Sequence, residues 1–384
     1  MTRRTWVPLT AAAAIVVAVG IALVAVRPWG TGTTAEGGPA ATPTSTSAPD
    51  TARTPGALRS EFLDRYVQDG RVVRTDQGGD TVSEGQAYGL LIAFANDDRE
   101  RFDAIWDWTA THLVTDDDLL AWRWTPDEGI ADGQSASDAD LDAARALVLA
   151  GSAWGEDRYT AAGKRIAAAI LEHETAETEL GTILLPGPWA DTGSAAGAGP
   201  YRYNASYASP AAFTVLADAT GDDRWNALDR GSRAVTTAVL DGARLPSDWS
   251  QVHRDGKVDP MPATGGDGQV VYGYDAMRMP LRYAESCTAE DRALAGALAP
   301  TLGRSTQLAS QLDLGGTAVT GDTNALAFVA RAAAEQAAGS DEAARADLGR
   351  ADRTAATTPT YFGDAWAALG ATMLTSTVLG GCAS

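Results

Sequence analysis

Histidine and cysteine are nearly missing from this chain, with 3 and 2 copies in 384 residues. His112, His173 and His253 share no metal-ligand spacing, and Cys287 and Cys382 lie too far apart for a zinc pair, so no metal is expected. Two cysteines cannot build a disulfide framework either; one long-range bridge and two separate thiols both fit the count. Basic charge is also short, 30 Lys+Arg against 50 Asp+Glu, for a net charge of −20. That balance excludes a nucleic-acid backbone or an anionic membrane surface as the expected partner and favours a neutral or cationic ligand. Nucleotide fingerprints, βαβ alternation and short repeats are absent. The Gly-rich pieces at 193–200 (GSAAGAGP) and 263–269 (ATGGDGQ) read as surface loops, with no helix start suited to phosphate behind them. No cofactor is expected.

What is present begins with a hydrophobic N-terminus. Arg3 and Arg4 precede an uncharged run from Trp6 to Val26, closed by Arg27. At about 1.5 Å per residue, that run is long enough to cross a bilayer core of about 30 Å. The positive flank keeps that end cytoplasmic, so the remainder is exported. Residues 1–29 are therefore expected to be a membrane anchor or a signal peptide, and the paired arginines also permit a twin-arginine signal. Residues 30–56, rich in Thr, Pro, Gly and Ser, lack the large apolar side chains needed to fold and read as a disordered tether. The folded domain is expected over 57–384, secreted or held at the outer face of the membrane. Contact with the membrane is expected only through the N-terminal segment.

Beyond residue 57 the pattern is helical. Segments are predicted at 58–66, 84–95, 101–112, 139–153, 157–172, 209–220, 223–240, 276–284, 289–308, 324–337, 341–352 and 361–376. Two kinds alternate. AYGLLIAFA (87–95) and AARALVLA (143–150) are apolar all round, which implies burial on every side, whereas DRYTAAGKRIAAAILE (157–172) carries a charged stripe and belongs outside. Buried and amphipathic helices in alternation describe an all-α toroid, an inner ring enclosed by an outer one.

Three aspartates, Asp138, Asp140 and Asp142, stand at alternate positions where one buried helix begins. One would suffice as a cap. In a helix, Asp138 and Asp142 share a face at i,i+4 and repel, while Asp140 points elsewhere. Either this is a solvated helix start or at least one carboxylate is kept for chemistry. The run lacks the glycine of a calcium loop.

The segment ASDADLDAARALVLAGSAW (136–154) nearly matches the signature of glycoside hydrolase family 8, with Ala143 where the family usually has Ile or Met. SEGQAYG (83–89) resembles the family's general-acid segment and YDAMRMPLR (274–282) its general-base segment. LAWRW, NASYASPAAF and LPSDW lie between them, extending the resemblance over about residues 58–380. The resemblance implies an (α/α)6 barrel of six helical hairpins. It also implies inverting, endo-acting hydrolysis of β-1,4-linked glycans, most often cellulose-type glucan, with chitosan, xylan and mixed-linkage glucan as other substrates.

Inverting hydrolysis needs one protonated and one ionised carboxyl group about 6.5–9.5 Å apart. Glu84 opens an apolar helix whose desolvation favours the protonated form, and the resemblance makes it the general acid. A plain helix-start glutamate after Ser83 is the bland alternative. Asp275, with Arg278 and Arg282 on the following turns, suits the ionised general base; a surface ion pair is its alternative. The resemblance assigns a sugar-contacting carboxylate to Asp138 or Asp140, and spacing leaves that choice open. Asp142 reads as structural, a helix-start charge or a partner for Arg145. Sugar clefts use aromatic platforms with converging polar groups. Candidates are Trp122, Trp124, Trp189, Tyr201, Tyr203, Tyr274 and Tyr361, with Arg278 as a polar contact.

The expected partner is a polysaccharide, met by a monomer. A non-catalytic polysaccharide-binding or synthesis-accessory toroid is the competing class, and a matched acid and base argue against it. Polymer degradation and exopolysaccharide processing share the same chemistry.

Overall fold

Capping residues and apolar runs set the elements of the computed structural model, which describes residues 52–263, 268–304 and 308–382. The expected anchor and most of the tether lie outside the described residues. Among the described residues no helix is long and apolar enough to cross a membrane. The first helix, α1 (Pro55–Tyr66), starts two residues inside the expected tether, because Thr54 caps it and Pro55 opens it.

The other helices are α2 (Ser83–Ala95), α3 (Arg99–His112), α4 (Ser137–Trp154), α5 (Asp157–His173), α6 (Pro210–Thr220), α7 (Arg224–Gly242), α8 (Met279–Ala284), α9 (Ala289–Gly296), α10 (Ala299–Leu302), α11 (Ala325–Ala337), α12 (Asp341–Thr357) and α13 (Tyr361–Thr375). Packing sorts them as hydrophobicity predicts. The inner helices contact one another in the closed order α2, α4, α6, α8, α11, α13 and back to α2. On the outside, α1 and α3 lie against α2, α5 against α4, α7 against α6, α9 against α8 and α12 against α11. Six inner and six principal outer helices make the (α/α)6 barrel. α2 is apolar on all faces and nearly every residue of it is buried, whereas α5 buries only one stripe.

One predicted helix is broken. The segment expected at 289–308 divides into α9 and α10, since Pro300 lacks the N–H that would bond back to Gly296 and its ring crowds that carbonyl. Short antiparallel sheets absent from the sequence reading line the connections: β1 (Val67–Gln68) with β2 (Arg71–Val72), β3 (Thr81–Val82) with β4 (Ala121–Thr125) and β5 (Gly129–Ser135), β6 (Thr175–Thr178) with β7 (Gly181–Leu184), and β8 (Tyr201–Tyr203) with β9 (Trp249–Val252) and β10 (Val258–Met261). Most are too short for a period-2 pattern to register.

Across the middle of the ring, α4 meets the segment leading through α8 in three buried ion pairs. Asp138 pairs with Arg278, Asp142 with Arg282 and Arg145 with Glu285. Arg145 also donates to the carbonyl of Leu379 in the C-terminal tail at 2.8 Å, and Cys287 and Cys382 form a disulfide beside it. This corrects the sequence pairing of Asp142 with Arg145 and the expectation that Arg282 serves Asp275. Arg145 and Arg282 reach across the barrel, and Arg278 does so while also pairing with Asp275 on its own segment.

Candidate active site

The three aspartates at the start of α4 turn to different elements. Ala136, the N-cap residue, makes no side-chain cap bond. Asp138 accepts from Arg278 Nη1 at 2.6 Å through Oδ2 and from the amide of Ala139 at 2.9 Å through Oδ1. Asp140 turns away, accepting the amide of Leu120 at 2.7 Å and facing Glu174. Asp142 accepts both terminal nitrogens of Arg282. Of the two aspartates between which spacing left the choice open, Asp138 joins the cluster of titratable groups around Arg278 and Asp140 does not.

Arg278 organises that cluster. It is 1% exposed, and Nη1 donates also to Glu84 Oε2 at 3.1 Å and the hydroxyl of Tyr88 at 3.2 Å, while Nη2 donates to Asp275 Oδ1 at 2.6 Å. Through its terminal nitrogens Arg278, expected as a polar contact for the sugar, holds the three carboxylates and the Tyr88 hydroxyl together. Glu84 and Asp275 are separated by no more than two hydrogen bonds and the width of one guanidinium.

The environments of the two differ. Glu84 lies in the first turn of α2 with its side chain 24% exposed. Burial, offset by Arg278 but reinforced by Asp138 and Asp275, pushes its carboxyl up to about 7. Its Oε1 accepts from the Tyr361 hydroxyl at 3.4 Å, an approach that Gly85 permits, since a Cβ there would lie 2.9 Å from that hydroxyl. Asp275 is 30% exposed at the side chain and also accepts the indole N–H of Trp249 at 3.1 Å. Burial pushes Asp138 up too, against the opposing pull of Arg278.

The aromatic candidates separate into two groups. Trp122 is half-buried in β4 with no ring or cation partner among the described residues, Tyr274 is half-buried beside Asp275, and Trp189 lies 6.0 Å from Trp249, ring to ring. Trp189 also borders a cavity of about 290 Å³ shared with Asp117, Gln134 and Ser135. By contrast Tyr201 and Tyr203 are 2% and 0% exposed; the first donates to the carbonyl of Gly197, and both belong to the core rather than the cleft. Trp124 packs edge-on against Trp108 of α3 and under Arg71. Tyr361, 1% exposed, reaches the site by its hydroxyl alone and is no platform.

Four participants escaped the sequence reading. Tyr88 takes a hydrogen bond from Arg278, Tyr207 lies under the Arg278 guanidinium at 5.2 Å, Trp249 holds Asp275, and Asp248 precedes it. Tyr207 and Trp249 were visible as aromatics inside NASYASP and LPSDW. Among the described residues no group of His, Cys, Asp and Glu has the geometry of a metal site.

A family model described as "Glycosyl hydrolases family 8" matches residues 56–375. An endoglucanase from Cellulomonas uda is 31% identical over 236 residues, 59% of this chain and 64% of the relative. An endoglucanase from Escherichia coli (strain K12) is 38% identical over 162 residues, 39% of this chain and 42% of the relative. The chain thus spans less than two thirds of the length of these curated relatives. Among solved structures, an endo-beta-1,4-glucanase from Acetobacter xylinum superposes with a TM-score of 0.68 at 25% identity, covering 84% of this chain and 97% of that one. A beta-1,3-1,4-glucanase from Paenibacillus sp. X4 reaches a TM-score of 0.74 at 19% identity over 85% and 91% of the two chains, a likeness of fold.

Proposed function

This chain belongs to the glycosyl hydrolases of family 8, and from that premise we propose that it is an inverting endo-β-1,4-glucanase with Glu84 as general acid and Asp275 as general base. The observation that carries the reading is the guanidinium shared by Glu84, Asp138 and Asp275. It holds two carboxyl groups of unlike environment on either side of one cation. The two hydrogen bonds and one guanidinium set an upper bound on the gap that leaves room for the ~6.5–9.5 Å spacing of an inverting pair.

In the reaction Asp275 takes a proton from that water as its oxygen attacks the anomeric carbon. The bond to the leaving oxygen breaks, and Glu84 supplies that oxygen with its proton. Solvent then returns a proton to Glu84 and removes one from Asp275. Asp138 accepts from hydroxyls of the sugar in the reacting subsite, an interaction that strengthens as the ring flattens. Trp122, Trp189, Tyr207 and Tyr274 supply apolar faces for the flanking sugars.

Several finer points belong to the same reading. The enzyme acts as a monomer on cellulose-type glucan, with chitosan, xylan and mixed-linkage glucan as the comparison substrates. It works outside the cytoplasm, secreted or tethered by residues 1–29, and a disulfide accords with an oxidising compartment.

The test is Glu84→Gln. Its kcat on unactivated β-1,4-glucan is expected to fall about 10²–10⁴-fold, the range of general-acid contributions, with a smaller loss on an aryl glycoside whose leaving group needs no proton. Near-normal turnover on the unactivated polymer removes Glu84 as the acid.

A further inference from the structure

Asp248 is 8% exposed and forms no ion pair among the described residues, yet it is bound to the segment that bears Asp275 at three points. Its amide donates to the carbonyl of Val271 at 2.8 Å. Its Oδ1 accepts the amides of Gly273 at 2.7 Å and Ala276 at 2.9 Å, the two that bracket Tyr274 and Asp275. Residue 273 is glycine for a steric reason: a Cβ there would meet Asp248 Oδ2 at 2.7 Å. The next residue, Trp249, donates its indole N–H to Asp275 Oδ2. Two consecutive residues therefore grip the turn and its carboxylate, one through the backbone and one through the side chain.

We propose that Asp248 is the positioning residue of the general base, fixing through the Gly273 and Ala276 amides the turn that aims the Asp275 carboxylate. The inference rests on the reading of Asp275 as the base. Asp248 works in its neutral form. Burial, with Asp275 next to it, pushes its carboxyl up to about 7, against the pull of the two amides and Arg278. Tyr272, on the same segment, also faces it. A neutral carboxyl receives two amides through a carbonyl-type oxygen, and an asparagine offers the same oxygen at the same place.

This predicts an asymmetry that simple packing does not. Asp248→Ala is expected to lower kcat about 100-fold, the size of effect that a misplacement of about 1 Å produces, with KM within about threefold. Asp248→Asn is expected to recover kcat to within about threefold of wild type below pH 7. Gly273→Ala, which leaves Asp248 in place but drives its carboxyl from the turn, is expected to lower kcat about tenfold or more with KM kept. The three are compared with the wild-type chain on soluble β-1,4-glucan, with amide hydrogen exchange over residues 270–278 and thermal unfolding alongside.

Loss of protection at Gly273 and Ala276 in Asp248→Ala, restored in Asp248→Asn and accompanied by the kcat split, supports the proposal. It is overturned if Asp248→Asn fails as badly as Asp248→Ala, or if Gly273→Ala keeps wild-type kcat. If Asp248→Ala does not fold, Asp248→Asn and Gly273→Ala decide by those same criteria. Should the wild type hydrolyse none of β-1,4-glucan, mixed-linkage glucan, xylan and chitosan, the reading of Asp275 as base falls, and the positioning claim falls with it.

Discussion

Glu84, Asp138 and Asp275 crowd one guanidinium, and the protonation of Glu84 decides what the cluster can do. Its carboxyl is pushed up to about 7 chiefly by burial, with Arg278 and Arg74 opposing and Asp138 and Asp275 adding to the rise. A general acid must be protonated, so kcat/KM is expected to fall on the alkaline side with a midpoint near pH 7. In Arg278→Met the cation that lowers Glu84 is gone, and the alkaline limb of the residual activity should move to higher pH. A limb that stays or moves down in that variant contradicts the assignment. The i,i+4 relation that puts Asp138 and Asp142 on one face and Asp140 on another was legible in the sequence. Which of Asp138 and Asp140 joins the site was not, because the answer depends on Arg278 and Leu120, far away in the chain. Tyr201 and Tyr203 misled for a related reason: an aromatic pair in a short strand looks the same whether it lines a cleft or a core.

At the scale of elements, the start of α4 is pinned by a second carboxyl pair. Asp140 and Glu174 are both 0% exposed and face each other; Leu120 donates its amide to the first and Ser135 its hydroxyl to the second at 2.6 Å. Asp140 Oδ2 and Glu174 Oε2 have no hydrogen-bond partner among the described residues, and a proton shared between the two carboxyls is the expected way to satisfy them. Burial raises both carboxyls well above their ordinary values. A group raised in the folded state stabilises below its unfolded value, and that stability is lost as pH rises through the folded one. Wild-type stability should therefore decline as pH rises above the ordinary carboxylate range. In Glu174→Gln the side-chain amide donates to Asp140 without a shared proton, so its unfolding temperature should decline less over the same range. Equal declines in the two proteins would count against the shared proton. The helices themselves were legible from apolar periodicity and punctuation. The rim sheets were not, their strands being too short to show alternation, and the predicted 289–308 helix ran through Pro300, whose missing N–H was the signal for the break.

For the whole molecule, the ring of six inner helices brings together residues from opposite ends of the chain: Glu84 from α2, Asp138 from α4, Asp275 before α8 and Tyr361 from α13. The buried pairs run from this mouth to the far end, where Arg145, Glu285 and the tail are closed by the Cys287–Cys382 bridge. The bridge spans a sequence separation of 95, and in the chain-entropy account a loop of that length is worth about 4–5 kcal/mol. Reduction, or Cys287→Ser with Cys382→Ser, should lower unfolding free energy by about 2–5 kcal/mol. Because the bridge sits at the other end of the ladder from Glu84, kcat at 25 °C should be unchanged; a matched loss of activity would mean that the two ends are coupled. The pairing of these cysteines was open in the sequence, since only the closed ring brings residue 382 beside residue 287. The claim on which the rest depends is that water, activated by Asp275, displaces a leaving group protonated by Glu84 in one step. Proton NMR of the product formed in the first minutes of hydrolysis of a soluble β-1,4-glucan tests it directly. The account predicts that the new reducing ends appear first as the α-anomer and then mutarotate, whereas β-anomer formed first would contradict it.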